Sequence, residues 1–409
     1  MAYQRILAMV LAGGEGTRLM PLTAERSKPA VPFAGRYRIV DFVLSNLVNS
    51  SINSIYMLVQ YKSQSLIEHI RNGWVLAPIQ PSHFITIVPP QMREGPEWFQ
   101  GTADAVYQNM NLIEPNAPDL VAVFGADHVY RMNIREMARF HHERNADVTI
   151  SALPVPLAEA TGFGVIATDA DGRVVEFQEK PKRPKPMPGD ADRAFASMGN
   201  YIFTTDVLLG AVRKACEAGD KDFGRHVLPR LMRTHRVFAY DFSTNRVPGL
   251  RPYEEPAYWR DVGTIEQYYA ANMDTLGLEP RLNLFNQRWP ILSRDYQGPI
   301  AHIVKASIEN SDIAAGSLVN DATIRNSIVR REVVIEEDVL IEDSIIMDYS
   351  VVRRGARIRR AIVDRYNTID AGDRLGYDLD GDRKRHHVSQ SGIVVVGKAP
   401  FRADTRRHW

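Results

Sequence analysis

Three glycines within four residues, Gly13, Gly14 and Gly16, follow the apolar run Ile6–Leu11 and precede Thr17 and Arg18. A buried strand that breaks into such a turn can aim successive backbone N–H groups into one concavity, where they hold phosphate oxygens. Arg18 adds a fork of donors for the same anions. Neither of two common phosphate motifs fits: GxxxxGK[ST] is absent, and the third position of GxGxxG is occupied by Leu19. On the glycines alone, an ordinary strand-to-helix turn is an equal alternative.

A second set of residues suits a divalent cation. Gly125-Ala126-Asp127-His128 comes just after the apolar run Leu120–Phe124. A carboxylate past the end of a buried parallel strand is well placed for Mg²⁺, which prefers one or two carboxylates plus phosphate oxygens. Alone, such an aspartate is more often a cap or a turn former. Asp261, in the glycine-containing turn Trp259–Thr264, is its candidate partner. Glu179-Lys180-Pro181 ends another β-rich run, and the proline fixes Lys180, whose ammonium could meet a sugar phosphate. A solvated Glu179–Lys180 pair is the alternative. Thr102, in Trp98–Ala105, can cap a helix whose free N–H groups sit in or near such a site.

These residues need a frame, and the chain alternates β-rich runs with helical stretches up to about residue 276. Expected strands are Ile6–Leu11, Ile55–Val59, Leu120–Phe124, Val148–Ala152, Met198–Phe203 and Val237–Phe242. Helices are expected to start at Thr102 and at Asn133, where Glu136 completes a capping-box pattern. The alternation argues for a largely parallel sheet covered on both faces, with ligands at the carboxyl ends of its strands. From Gly277 to Pro299 three prolines and little periodicity read as a linker. Beyond it aliphatic residues recur every five or six positions: Ile313, Leu318, Ile324, Val329, Ile335, Ile341, Ile346, Val352, Ile358, Val363 and Ile369. That period fits a parallel β-helix of hexapeptide turns, each flat face sending one aliphatic residue inward.

Length and composition narrow the partners. A chain of 409 residues accommodates two domains. With 50 basic against 49 acidic residues there is no global field to favour nucleic acid or an anionic membrane. The single cysteine, Cys216, excludes an internal disulfide and suits a reducing cytosol. No run approaches the roughly 20 apolar residues of a membrane span, and the N-terminal run is too short for a signal peptide. A cytoplasmic protein is expected.

The block Gly13–Phe33, GGEGTRLMPLTAERSKPAVPF, resembles the signature of the sugar-nucleotide pyrophosphorylases, GGxGTRL followed by KP. Ser27–Asn46, Gln60–Leu66, Gly101–Asn109, Val123–Met132 and Tyr258–Thr264 are similar to the bacterial branch of that family that makes ADP-glucose. The similarity covers nearly the whole chain. It implies a Rossmann-like, mostly parallel α/β nucleotidyltransferase domain over residues 1–276, a linker over 277–300, and a left-handed parallel β-helix with a basic C-terminal segment over 301–409. It also implies transfer of the adenylyl group of ATP to glucose 1-phosphate, the committed step of bacterial glycogen (α-glucan) synthesis, with Mg²⁺ as cofactor. Asp127, Arg18 and Lys28 become catalytic residues by that resemblance, with Asp127 and Asp261 on the metal. Gly13, Gly14, Gly16, Thr17, Gln60 and Gly101 are assigned to the nucleotide, the Gln60 amide pairing with adenine unless it merely packs. Phe99, Gly164, Glu179, Lys180 and Ser197 are assigned to the sugar phosphate. The family commonly has tyrosine where this chain has Phe99, so a hydroxyl hydrogen bond is lost there.

The family is tetrameric and controlled by sugar-phosphate or carboxylate metabolites bound between the two domains. Arg26, Arg36, Arg38, Arg383 and Arg385 lie in the matching regions. Some relatives carry an activator-binding lysine where this chain has Glu25, and a basic residue at Glu15, so a sugar bisphosphate is not expected to be the principal activator. Three alternatives stay open: the same chemistry with another nucleotide, a non-catalytic regulatory subunit, and an acyltransferase in the hexapeptide domain. The last lacks an evident base, because residues 313–369 contain no histidine, while His386 and His387 lie beyond the repeats.

Overall fold

The protein was analysed as a computed structural model that describes residues 4–76, 80, 82–93, 95 and 97–401. Residues 402–409 of the basic C-terminal segment lie outside the described residues. The first apolar run forms the strand Ile6–Ala12, parallel to Ser54–Val59 on one side and to Leu120–Gly125 on the other. Phe84–Val88 extends this parallel edge beyond Ser54–Val59. Its own pattern is half-buried, which is why sequence periodicity did not single it out.

The other flank of the nine-stranded sheet is mostly antiparallel. The long strand Arg193–Thr204 runs against Leu120–Gly125, Val148–Pro156 and Gly164–Thr168, and Val174–Glu179 closes the edge against Gly164–Thr168. Val237–Asp241 pairs parallel to Val148–Pro156. Alternate residues of each central strand serve opposite layers, as the pleat requires. Ala8 and Val10 join a core with the helices Ile39–Asn49, Gln64–Gly73 and Ile134–Glu143. Leu7 and Met9 join a second core with Thr102–Tyr107, Thr205–Glu217 and Leu228–Thr234.

Two local expectations are corrected. At Asn133 no capping box forms. Asn133 Oδ1 accepts from the Arg135 N–H at 3.1 Å, its own N–H is taken by Asn245 Oδ1, and Glu136 turns to Arg139. Asn133 still caps through its side chain, whereas Thr102 does not cap its helix. It is the first helical residue, and its hydroxyl donates to Asp222 Oδ2 at 3.1 Å and accepts from Phe223 N at 3.0 Å. The Ala103 and Asp104 N–H groups both go to the Lys221 carbonyl, so they are not free for a ligand.

Buried His141, on the helix Ile134–Glu143, bonds to Thr149 at 2.8 Å and Thr204 at 3.3 Å. Burial pushes its pKa down to about 4. The unfolded chain takes up that proton near pH 6.5, so folding loses stability as pH falls below 6.5 towards 4. Urea denaturation at pH 7.5 and pH 5 should show His141→Gln losing about 2 kcal/mol less than the parent between those two values.

The C-terminal part is a parallel β-helix with three faces, one strand of each coil on each face. Register pairs such as His302 with Leu318 and Val334 with Val351 give 16 or 17 residues per coil. Several corners are single non-glycine residues at positive φ, among them Asn310, Asp321, Asn326, Asp338 and Asp343. Asn and Asp tolerate that conformation best. Ile324, Val329, Ile335, Ile341, Ile346, Val352, Ile358, Val363 and Ile369 fill the interior as expected. Leu318 does not: Val319 is the buried one, because both neighbours are aliphatic and either satisfies a step of five or six.

Residues 277–300 lack regular structure yet are not a loose tether. Trp289 and Ile291 are buried, Asn49 Nδ2 donates to the Pro290 carbonyl at 2.9 Å, and Ser293 Oγ donates to Asp41 Oδ2 at 2.6 Å. The β-helix packs on the sheet domain through one shared apolar core that includes Phe33, Phe42, Tyr268, Ile328, Ile345 and Ile362. Among the described residues, no helix is long and apolar enough to cross a membrane.

Candidate active site

The glycine turn opens off the carboxyl end of Ile6–Ala12. Gly16 sits at φ +66°, and a Cβ there would lie 3.0 Å from Lys28 Cβ and 3.1 Å from Thr23 Cγ2. Backbone conformation and close approach both demand glycine at this point. At Gly14 a Cβ would meet nothing within 4 Å, so the concavity is open there. A single 3-10 turn, Thr17–Leu19, follows in place of a longer helix.

A two-residue ribbon assembles the carboxylates. Val129–Tyr130 and Trp259–Arg260 pair antiparallel, which sets Asp127 and His128 beside Asp261. Lys28 Nζ lies between the two carboxylates, 3.1 Å from Asp127 Oδ2 and 3.2 Å from Asp261 Oδ1. Lys28 is only 5% exposed; burial pulls its pKa down, but Asp127 and Asp261 outweigh that and hold it above the ordinary lysine value. Desolvation pushes the Asp127 carboxyl up, but the adjoining His128 and Lys28 hold it well below the usual carboxylate range. Asp127 is therefore an ionised acceptor at neutral pH. Arg18 reaches within 3.9 Å of Asp261 Oδ2, its guanidinium largely in solvent.

His128 is a site residue that motif reading passed over. Its Nδ1 is 3.3 Å from Asp127 Oδ1 and its Nε2 is 3.7 Å from Asp261 Oδ1. The ring leans on Trp259, centroids 4.8 Å apart, and Nδ1 is buried without a hydrogen-bond partner among the described residues. Ligand atoms of Asp127, His128 and Asp261 all lie within 4.8 Å of one another. Two carboxylates and an orphaned imidazole nitrogen around one point fit a divalent cation.

The opposite wall comes from the antiparallel flank. Glu179 pairs across the ladder with Gly164, whose Cβ, if present, would fall 2.6 Å from Phe177 Cζ. Close packing, then, explains that glycine. Lys180 follows at φ +46°, its N–H bonded to the Phe163 carbonyl at 3.1 Å and its ammonium more than half exposed. Ser197 lies where the register of Arg193–Thr204 slips, and its Oγ accepts from the Gly199 N–H at 3.3 Å. Gln60 Nε2 donates to the Phe99 carbonyl at 3.2 Å, leaving Gln60 Oε1 buried and unpartnered among the described residues. Phe99 thus acts through its backbone, with its ring against the second core. A Cβ on Gly101 would collide with the Lys221 carbonyl, so that glycine serves packing as well.

One cleft of about 630 Å³ collects all of these. Gly13, Gly14, Gly16, Thr17, Arg18, Lys28, Gln60, Phe99, Gly101, Asp127, Gly164, Glu179, Lys180, Ser197 and Asp261 line it, with His128, Tyr201, Asp222 and Trp259 in addition. The arginines expected to be regulatory lie elsewhere. Arg26 is buried against Asp364 at 2.5 Å, and Arg36 pairs with Asp295. Arg383 and Arg385 pair with Asp380 and Asp373. Arg38 is half-buried and donates to the Ser65 carbonyl at 2.7 Å. Its pKa is pushed down to about 9 by burial and by the neighbouring charges of Arg365 and Arg26. The β-helix arginine beside Arg38 is therefore Arg365, which no motif had marked.

Residues 7–277 match the family model for nucleotidyl transferases, and residues 301–396 match the GlmU-like, C-terminal hexapeptide model. Over 396 residues the chain is 54% identical to a glucose-1-phosphate adenylyltransferase of Thermodesulfovibrio yellowstonii, covering 97% of this chain and 96% of that one. The chain belongs to the glucose-1-phosphate adenylyltransferases. Relatives of the same name from Anaeromyxobacter sp. and Thermus thermophilus are each 48% identical, over 97% of this chain and 98% or 99% of theirs. Within the adenylyltransferase family the fold class follows as well: a nucleotidyltransferase sheet domain joined to a β-helix whose hexapeptide repeats are those of the left-handed kind.

Proposed function

We propose that this chain transfers the adenylyl group of ATP to α-D-glucose 1-phosphate, giving ADP-glucose and pyrophosphate. The observation that carries this is the meeting, in one cleft, of the glycine turn with Lys28, Asp127 and Asp261 on one wall and Glu179, Lys180 and Ser197 on the other. Nucleotidyl transfer needs alignment and charge neutralisation more than covalent help. The glycine turn, Arg18 and Lys28 hold the triphosphate. Lys180 and Glu179 set the sugar phosphate so that its oxygen attacks the α-phosphorus in line while pyrophosphate leaves. Asp127 and Asp261, with His128 beside them, would hold Mg²⁺, which supplies charge neutralisation on the triphosphate when bound. The unpartnered Gln60 Oε1 supports adenine as the base, since it can accept from the exocyclic amine.

Running the reaction backwards tests this. ADP-glucose with pyrophosphate and Mg²⁺ should yield ATP; yield from UDP-glucose or dTDP-glucose instead would refute the adenylyl assignment. Lys180→Gln should raise KM for glucose 1-phosphate about 10- to 100-fold, the worth of a charge-assisted contact, with a smaller change in kcat.

Regulation and assembly belong to the same proposal. Arg26, Arg38 and Arg365 converge between the domains, and Arg26 and Arg365 each keep a buried nitrogen without a hydrogen-bond partner among the described residues. That suits a phosphate or carboxylate effector. Glu25 pairs with Lys398, which cancels charge near this site. A doubly charged sugar bisphosphate should accordingly activate weakly; strong activation at micromolar levels would contradict this. Leu278, Phe285 and Ile300 stand almost fully exposed, which supports burial against further copies in a homotetramer. The single cysteine and balanced charge support a cytoplasmic location.

A further inference from the structure

Lys28 Nζ lies between the two carboxylates that would hold a divalent cation. The ammonium bridges both carboxylates at 3.1 and 3.2 Å and is almost fully buried. A metal ion entering this geometry alone must displace the ammonium or sit against a buried like charge, and Arg18 adds further positive potential beside Asp261. The triphosphate changes the balance. Its oxygens, held at the glycine turn whose Gly16 approaches the Lys28 stem, would offer Lys28 another anionic partner.

We propose that Lys28 is an internal counter-ion that keeps the metal site closed in the free enzyme and yields it when the nucleotide arrives. This rests on the metal site proposed above. Lys28 then has two successive partners: the Asp127 and Asp261 carboxylates before binding, and the triphosphate after it. Metal and nucleotide bind cooperatively because one side chain cannot satisfy both sets of anions at once.

Binding of Mn²⁺ alone to the full-length protein, without nucleotide, tests this by the loss of the free-ion electron paramagnetic resonance signal. Wild type should bind weakly. Lys28→Gln and Lys28→Met, checked for folding by circular dichroism, should each bind at least about tenfold more tightly, because removing one buried positive charge beside the ligands lifts a repulsion. Adding Asp127→Asn to Lys28→Gln should abolish the gain. Two neutral variants guard against one of them misfolding. Equal or weaker binding in both overturns the counter-ion role while leaving the metal site standing. A gain that survives Asp127→Asn also overturns it, since the ion would then be elsewhere. Binding absent from every variant, and from wild type with a non-hydrolysable ATP analogue present, would overturn the metal site together with the counter-ion role.

Discussion

Asp127→Asn should lower turnover about 10³-fold while the protein stays folded and both substrates still bind. The substitution keeps the shape and removes only the charge. Asp127 sits beyond the end of Leu120–Gly125 and takes no part in either apolar core, so packing is untouched. What disappears is an ionised oxygen 3.1 Å from Lys28 and within 4.8 Å of the donor atoms of His128 and Asp261. The carboxyl is held far below its usual pKa, so the loss should be uniform from pH 6 to pH 9 and not rescued by raising the pH. Steady-state kinetics with both substrates varied, together with circular dichroism, checks this. A variant within a few-fold of wild type would remove Asp127 from the mechanism.

Arg330→Met should be the most destabilising single change at the domain interface, by about 3 kcal/mol or more. Arg330 is a fully buried arginine of the β-helix. Its Nε bonds to Asp348 Oδ2 at 3.1 Å, and its guanidinium donates to the carbonyls of Phe33, at 2.9 Å, and Ala34. Removing it strands those carbonyls and leaves Asp348 paired with Arg331 and Arg365, at 3.3 and 3.6 Å, as the remaining ion-pair partners among the described residues. Those two keep the cost towards the lower end of the range for a broken buried pair. The double variant Arg330→Met/Asp348→Leu should recover much of the loss, since the stranded charge goes with its partner. Urea denaturation followed by tryptophan fluorescence reads both. The same arginine grips the backbone a few residues after Lys28, so the single variant should also lose activity below the unfolding transition. Stability unchanged by Arg330→Met would show that the interface rests on the apolar core alone.

Much of this site could be found in the sequence because its residues sit in short motifs at strand ends. The run before Gly13 is buried on both faces and therefore continuously apolar, and the same holds for Leu120–Phe124 before Asp127. The β-helix announced itself through a period that neither helices nor flat strands produce. The misses have a common cause in contacts between distant segments. Thr102 looks like a cap until the Lys221 carbonyl, far along the chain, supplies the helix's N–H groups with a partner. Gly101 and Gly164 look like ligand contacts, yet a carbonyl and the Phe177 ring explain why each lacks a side chain. His128, Asp222 and Arg365 carry no local pattern at all. They become visible only when the Val129–Arg260 ribbon, the cleft wall and the β-helix flank are folded. Phe84–Val88 was missed for a simpler reason, its half-exposed edge position.

The central claim is tested most directly by pyrophosphate release from the purified protein with Mg²⁺, glucose 1-phosphate and each nucleoside triphosphate in turn. The geometry of Gln60 and the family likeness predict that ATP is strongly preferred. Preference for another nucleotide would keep the cleft and its chemistry but contradict the adenylyl assignment, and no release from any of them, with effectors added, would contradict catalysis itself.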